Sequence, residues 1–470
     1  MKTSYFEQLF EHTILSDIRL ARRFGLLAGT LFDNFGKSIP QSFTDRSQVK
    51  AAYNFLNHPT IKYDMLVSAE RARMISRIAS DKPSVILAIQ DTTELTYTGN
   101  RSDAELGYMR YETVKGFYLH NHLIFNPQGI GLGIFDQKLW NYSREEVGKL
   151  KEKRKQRSFE DKASYRWYEQ FEDLQDAFEQ FPATTVIDIT DREGDIHELL
   201  QARRTSNVHY IIRGRGDRKE HLTNVHVKEL MQKQTVTHIY EVKVLASARD
   251  NNNAAGKRVA RIGLSYQRIT LHPPFRKSTD IIPCLPIEVT IVYAKEIDPP
   301  EDVAEPIEWV LYTSLPVKSV EDAVQITDYY KQRWLIEIFH FVLKQGAKIE
   351  ELQLETAQGL GNAIATYSIV SLQVQNLRYA RQEYAQKPVE QVPDLNITSQ
   401  DYKLAASYLN GTYKKHDIDK VNPTVDDFFK LIAQLGGFQM QKNKSPGVKI
   451  MWRGWQQWII IKKVALVMKK

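Results

Sequence analysis

The sequence predicts an α/β fold with helical segments at both ends. Residues 1–80 carry helical spacing with cap residues. Between Pro83 and Ser314, short apolar runs end repeatedly in polar turns, as buried strands do. After Ser319, long apolar stretches at helical spacing return. The chain has 470 residues, enough for about three domains. With 42% hydrophobic and 26% charged residues, it has a globular composition that excludes wholesale disorder.

The elements follow in order. SDIRLARRFGLLAGTLF reads as a helix capped by Ser16 or Asp17, with Arg19, Arg22 and Arg23 on one face. That face either contacts DNA or is simply solvated. SQVKAAYNFLNHP is a second helix that stops before Pro59. SVILAIQ, ending at Asp91, and ATTVIDIT, ending at Asp191, read as buried strands. GFYLHNHLIF and GIGLGIFDQKLW form a hairpin around NPQG. A charged helical stretch from about Ser143 to Phe181 contains the basic run Lys149–Arg157. After REGDIHELLQARR (helix) and VHYIIRGRG (strand), a β insertion occupies about 216–300. EWVLYTS is a strand, and SVEDAVQITDYYKQRWLIEIFHFVLKQG is one long helix. The last 80 residues are mostly helical, with an aromatic cluster at Trp452, Trp455 and Trp458.

Charge and cysteine narrow the function classes. Lys and Arg number 64 against 57 Asp and Glu, a formal charge of +7. From Gln441 to Lys470 there are eight basic and no acidic residues, so the tail holds the whole excess. This suits a polyanion partner without demanding one. The lone Cys284 excludes an internal disulfide framework and a Cys-rich zinc site, and points to a reducing, cytoplasmic compartment. The N-terminus lacks an apolar signal core and no apolar run is long enough to span a bilayer, so no membrane partner is expected. Nothing in the sequence suggests a small-molecule cofactor.

Asp91 and Asp191 stand at the carboxyl ends of two apolar strands, where open sheets place ligand crevices. Each could equally cap the turn that follows. On the predicted long helix, Tyr330, Arg333, Glu337 and Lys344 fall on one face at about 100° per residue. The plain alternative is a salt-bridged surface, since Arg333 and Glu337 are an i,i+4 pair. Phosphodiester chemistry joins the pieces. Mg²⁺ prefers carboxylate oxygens, and two such ions a few ångströms apart can serve both the attacking and the leaving oxygen. Arg, Lys and Tyr beside them would hold phosphate oxygens. His120 and His122 alternate on a strand with no Cys nearby and read as structural.

These strings resemble the bacterial DDE transposases carrying the YREK signature, the insertion-sequence-four family. The resemblance rests on QDTT at Asp91, TDREGDI at Asp191 and Y-x2-R-x3-E-x6-K from Tyr330 to Lys344. It extends to the D-x-R-x-x-R pattern of Asp17, Arg19 and Arg22, to AAYNFLNHP, EWVLYTS and RWLIEIFH, and to LGGF at Leu435–Phe438. It implies a ribonuclease-H-like catalytic core with a β-strand insertion, flanked by helical domains. The expected divisions are 1–75 for DNA binding, 76–365 for catalysis and 366–470 for dimerisation. It implies that Asp91, Asp191 and Glu337 ligate two Mg²⁺ ions, with Mn²⁺ able to substitute. Tyr330, Arg333 and Lys344 would contact phosphates, Trp309 would stack a flipped base, and Arg213, Arg19, Arg22 and Arg23 would contact DNA. The basic run 149–157 and the acid-free tail depart from the family, and either binds DNA or is solvated.

The function implied is cut-and-paste DNA transposition by a homodimer on double-stranded DNA, acting on transposon ends and a target in the bacterial nucleoid. The alternatives are a metal-dependent nuclease without strand transfer and a catalytically silent DNA-binding regulator.

Overall fold

The computed structural model describes residues 6, 17–97, 106–111, 113–147, 159–160, 162, 164–215, 218–244, 258–274, 284–301, 303, 305–392, 397–411, 416–439 and 445–468. The basic run 149–157 and the ends of the basic tail lie outside the described residues. In chain order, helices α1 (Ile18–Asp33), α2 (Ile39–Ser42), α3 (Arg46–Leu56) and α4 (Tyr63–Asp81) precede strands β1 (Val85–Thr96), β2 (Gly116–Phe125) and β3 (Gly131–Trp140). Helices α5 (Arg144–Val147) and α6 (Tyr165–Phe178) lead to β4 (Thr185–Thr190), α7 (His197–Gln201) and β5 (Val208–Arg213). Then come α8 (Val227–Gln232), β6 (His238–Val244), β7 (Arg258–Leu271), β8 (Ile287–Ile297) and β9 (Glu308–Thr313). The chain continues with α9 (Val320–Lys331), α10 (Trp334–Phe341), α11 (Ala357–Glu383), α12 (Ser399–Asn410), α13 (Val425–Leu435) and α14 (Val448–Met468). Among the described residues, no helix is long and apolar enough to cross a membrane.

Contacts divide the chain into two compact units. One comprises Met1–Lys82, Thr92–Lys149 and Leu335–Lys470, the other Pro83–Asp91 and Leu150–Trp334.

In the first unit the helices start where short polar side chains can cap them. Asp17 accepts from the Arg19 amide at 2.8 Å to open α1, and Asp45 accepts from the Ser47 amide at 2.8 Å to open α3. The α1 face formed by Ala21, Phe24, Leu27, Ala28 and Leu31 is buried, as its helical spacing requires. Strands β2 and β3 pair antiparallel through the expected hairpin, and Asn121 lies directly opposite Gln137. Helix α11 runs through this unit with a core of Leu360, Ala363, Ile364, Tyr367 and Val370. Its buried amides tie distant backbone: Asn362 donates to the Leu56 and Ile61 carbonyls at 2.8 and 3.0 Å. Asn376 both accepts from the Gly131 amide and donates to its carbonyl, each at 2.8 Å. The predicted Trp cluster forms on α14, where Trp452 meets Phe35 and Trp455 meets Phe32 at ring distances of 5.8 and 5.6 Å. N-terminal and C-terminal helices thus share one core.

The second unit is built on a mixed sheet in the order β1-β4-β5-β9-β8-β7-β6. The first three strands run parallel, and the pairs from β5 to β6 are antiparallel. Strands β6 to β8, which fall in the stretch read as an insertion, extend this sheet through β9.

Two expectations are corrected. First, Asp91 does not end its strand, because β1 continues to Thr96. Thr92, Thr93 and Thr96 are β-branched and suit a pleated surface. The Thr92 hydroxyl meets His120 Nδ1 at 2.8 Å, and the Tyr97 amide donates to the Lys115 carbonyl at 3.0 Å. Second, the long helix is broken. The Gln332 and Arg333 amides bond back three residues, to Tyr329 and Tyr330, which tightens the last turn of α9 before α10 begins. After α10, Val342–Gly346 is a π-helical turn closed by the Ala347 amide on the Val342 carbonyl at 2.8 Å. A uniform 100° step therefore does not carry from Tyr330 to Lys344.

A buried ion pair in the first unit gives a stability test. Arg73 donates to both Glu70 oxygens at 2.8 and 2.9 Å and to the Leu132 carbonyl at 2.7 Å. The two side chains are 2% and 0% exposed, so neither charge can be rescued by water. Gly133 passes so close that a Cβ there would lie 2.6 Å from Met74. Glu70→Ala would strand the Arg73 cation, and we expect a loss of about 3–5 kcal/mol, read as a lower thermal midpoint.

Candidate functional site

In the second unit the parallel pairing of β1 with β4 sets the geometry. Residues 85 to 89 pair with residues 185 to 189 one for one. Asp91 and Asp191 each come two residues after the last of these pairs, Ile89 with Ile189. Strand β5 extends the series. Thr190 pairs with Ile212, and Arg213 follows Ile212. Asp91, Asp191 and Arg213 thus come at or just beyond the paired stretches of three neighbouring parallel strands.

Strands β1 and β4 also share a buried polar pair. Asp188 is fully buried, and Gln90 donates to both of its oxygens at 3.0 Å. Each residue of this pair sits next to, or three before, one of the two aspartates, so the clamp holds the backbone that carries them. Asp191 also caps a 3₁₀ turn at Arg192–Gly194, accepting from the Glu193 amide at 2.7 Å. The capping alternative thus holds for Asp191, and its carboxylate remains partly exposed.

Helix α9, the turn that ends it and strand β9 bring basic and aromatic groups to the same unit. Arg333 Nη1 meets Asp91 Oδ2 at 3.3 Å, with both side chains largely covered. Tyr330 is 3% exposed, and the half-buried Trp309 packs against its ring with centroids 5.2 Å apart at 69°. Burial pushes the Tyr330 phenol up, Arg333 and Arg213 draw it back down, and Asp191 adds to the rise. Burial likewise lowers the Arg213 guanidinium, partly offset by Tyr330. Arg333, Arg213 and Asp191 thus all act electrostatically on the Tyr330 phenol.

In the first unit, Glu337 lies in the first turn of α10, where a negative charge is favourable, and is partly exposed. His340, one turn later, offers a ring nitrogen within 4.8 Å of a Glu337 oxygen. Lys344, on the π-helical turn, donates to the Glu94 carbonyl at 2.7 Å and faces Glu350 at 3.5 Å. Glu350 is itself held by the Thr96 amide and hydroxyl at 2.8 and 3.0 Å. His120 and His122 are fully buried, the first against Thr92 and the second edge-on to Phe135, which fits a packing role. On α1, Arg19 and Arg22 are exposed and Arg23 is half-buried. Arg19 turns back to chelate Asp17, its own cap, at 2.9 to 3.3 Å.

The comparisons with known families decide the reading. The family described as Transposase DNA-binding matches residues 2–61. The family described as Transposase DDE domain matches residues 168–372. The chain is a DDE transposase. It is therefore an enzyme that acts on DNA, with DNA as its partner, and its DDE domain implies dependence on a divalent metal. The mixed sheet and helices of the fold agree with that domain.

Within the transposase, the DDE match spans Asp191, Arg213, Trp309, Tyr330, Arg333, Glu337 and Lys344, whereas Asp91 lies outside both matches. The arginines of α1 fall in the DNA-binding match. Sequence reasoning passed over Gln90, Asp188, Asn121 and His340. Two signals were available for three of them: QD and DITD following two apolar runs, and the i,i+3 spacing of Glu337 and His340.

Gln90→Leu would remove both Gln90 donors from the buried Asp188 carboxylate. We expect a loss of about 1–3 kcal/mol, seen in the thermal midpoint, together with slower DNA cleavage.

Proposed function

We propose that this transposase works by a cut-and-paste route of the insertion-sequence-four type. It would use a ribonuclease-H-like core, interrupted by the strands around 216–300, between a DNA-binding segment at 1–75 and a dimerising segment at 366–470. The observation that supports the reading is the one-for-one register of β1 on β4, since Asp91 and Asp191 each follow two residues after its last pair. Two carboxylates so placed are a hard-oxygen donor set, which fits Mg²⁺ with Mn²⁺ as a substitute. In this reading Asp91, Asp191 and Glu337 are the three carboxylates that would hold two such ions. Bound there, the ions would supply Lewis-acid stabilisation of the charge that builds on the phosphate.

The chain's own groups would do the rest. Arg333, Lys344, Arg213 and Tyr330 would hold phosphate oxygens, with Arg333 exchanging its Asp91 partner for DNA. Arg19, Arg22 and Arg23 would engage the element's end. Water displaces the 3′ oxygen at that end, and the freed 3′-hydroxyl attacks the opposite strand to leave a hairpin. A second water opens the hairpin, and the 3′-hydroxyl then joins target DNA. Each step is a displacement at phosphorus, so one site can serve them all. Trp309, half-buried on β9, would stack the base unpaired at the hairpin. A homodimer would bring two ends together.

The test uses labelled DNA from both flanks of the gene, incubated with Mg²⁺. We expect Asp191→Ala to abolish cleavage while gel shifts show end binding unchanged; full cleavage by this variant would refute the proposal. Trp309→Ala should nick normally but accumulate nicked ends in place of hairpins, as read on denaturing gels. Cleavage without hairpins or joined products in the unmutated protein would instead favour a nuclease.

A further inference from the structure

Beside Glu337 in the first unit lies a buried chain of polar side chains with a direction. Tyr63 Oη donates to Gln137 Oε1 at 3.4 Å, and Gln137 Nε2 donates to Asn121 Oδ1 at 2.6 Å. Asn121 Nδ2 lies 3.0 Å from His340 Nε2 and 3.4 Å from the Leu119 carbonyl. The carbonyl can only accept, so the nitrogen end of the Asn121 amide faces Leu119 and His340. Asn121 and Gln137 are fully or almost fully buried, and His340 is 7% exposed. Amides so enclosed hold one orientation, since a flip would break bonds that no water replaces.

The direction sets the histidine. With Asn121 donating, His340 Nε2 must accept, so the neutral ring carries its proton on Nδ1. His340 lies three residues after Glu337, on the same face of α10, with a ring nitrogen within 4.8 Å of a Glu337 oxygen. We propose that His340 is a positioning residue. The chain from Tyr63 fixes its Nδ1–H as a donor that holds the Glu337 carboxylate in one orientation. Partners one bond removed from a working carboxylate matter in this way because they remove its rotational freedom before substrate arrives. The inference rests on the reading of Glu337 as a working carboxylate.

Two near-isosteric substitutions separate positioning from packing. His340→Asn keeps an N–H donor near Nδ1 and loses the bond to Asn121. His340→Gln keeps a polar group near Nε2 for Asn121 and loses the donor toward Glu337. Positioning ranks Asn above Gln, whereas a merely structural role ranks Gln above Asn. Cleavage of end DNA and Mn²⁺ affinity, the latter by electron paramagnetic resonance of free Mn²⁺ on the full-length protein, are measured for both and for Glu337→Gln. We expect His340→Gln to lose about 10–100-fold in cleavage and Mn²⁺ affinity and His340→Asn to lose clearly less. Asn121→Ala, which leaves α10 untouched, should lower cleavage in the same direction even if a His340 variant fails to fold. Equal losses in the two His340 variants, the reverse ranking, or full cleavage by Asn121→Ala would overturn the inference. Full cleavage by Glu337→Gln would overturn the underlying reading instead.

Discussion

The one-for-one pairing of β1 with β4 is the constraint on which the second unit's chemistry depends. Parallel strands have evenly spaced bonds and a period of two, so a slip of one residue would turn every side chain to the other face. The register is held by burial on both faces. Ile86, Leu87, Ala88 and Ile89 are buried, as are Val186, Ile187 and Ile189. Asp188 breaks the apolar run, and it is the residue that Gln90 clamps. A buried carboxylate is a poor choice for stability alone, because its desolvation offsets much of what its partners return. Here it disfavours other registers, since a slip would leave the carboxylate without Gln90.

The first unit uses the same device more widely. Asn362, Asn376 and Gln375 on α11 bond backbone on distant segments, the last through the Leu335 carbonyl at 3.0 Å. Glu70 with Arg73, and Asn121 with Gln137, are further buried polar pairs. Each requires particular partners in one orientation, whereas apolar contacts tolerate many. The two units thus combine apolar cores, which supply most of the stability, with polar clamps that specify alignment. Some of the buried polar groups lie on the segments carrying the candidate carboxylates: Gln90 precedes Asp91, Asp188 precedes Asp191 by three residues, and His340 follows Glu337 by three.

How far the site was legible follows from how local each signal is. Helices α1 and α3, the β2–β3 hairpin and the apolar runs before the two aspartates follow from periodicity, caps and turn residues; α2 and α4 rest only on the general helical reading of residues 1–80. For the same reason the cap of α1 narrows to Ser16 or Asp17, and the structure selects Asp17; His120 and His122 read as structural because no Cys lies near them, and both are buried. The aspartates attract notice because a carboxylate after an apolar run is chemically conspicuous. Asn121 and Gln137 do not, since an amide within a strand looks the same whether it faces solvent or a histidine more than two hundred residues away.

By itself the sequence determined the α/β class, the order of most elements and the residues with chemistry to offer. All of these are encoded within windows of a few residues, where backbone sterics and side-chain alternation act. Only the tertiary structure decided that β1 runs past Asp91 to Thr96, because that depends on groups such as His120 meeting Thr92. It alone broke the helix at Gln332 and Arg333 and widened it after Phe341, which no helical wheel anticipates. It alone put β1, β4 and β5 in register and aimed Asn121 at His340. Register and buried hydrogen bonds join residues far apart in the chain, and their energies exist only once those residues are brought together.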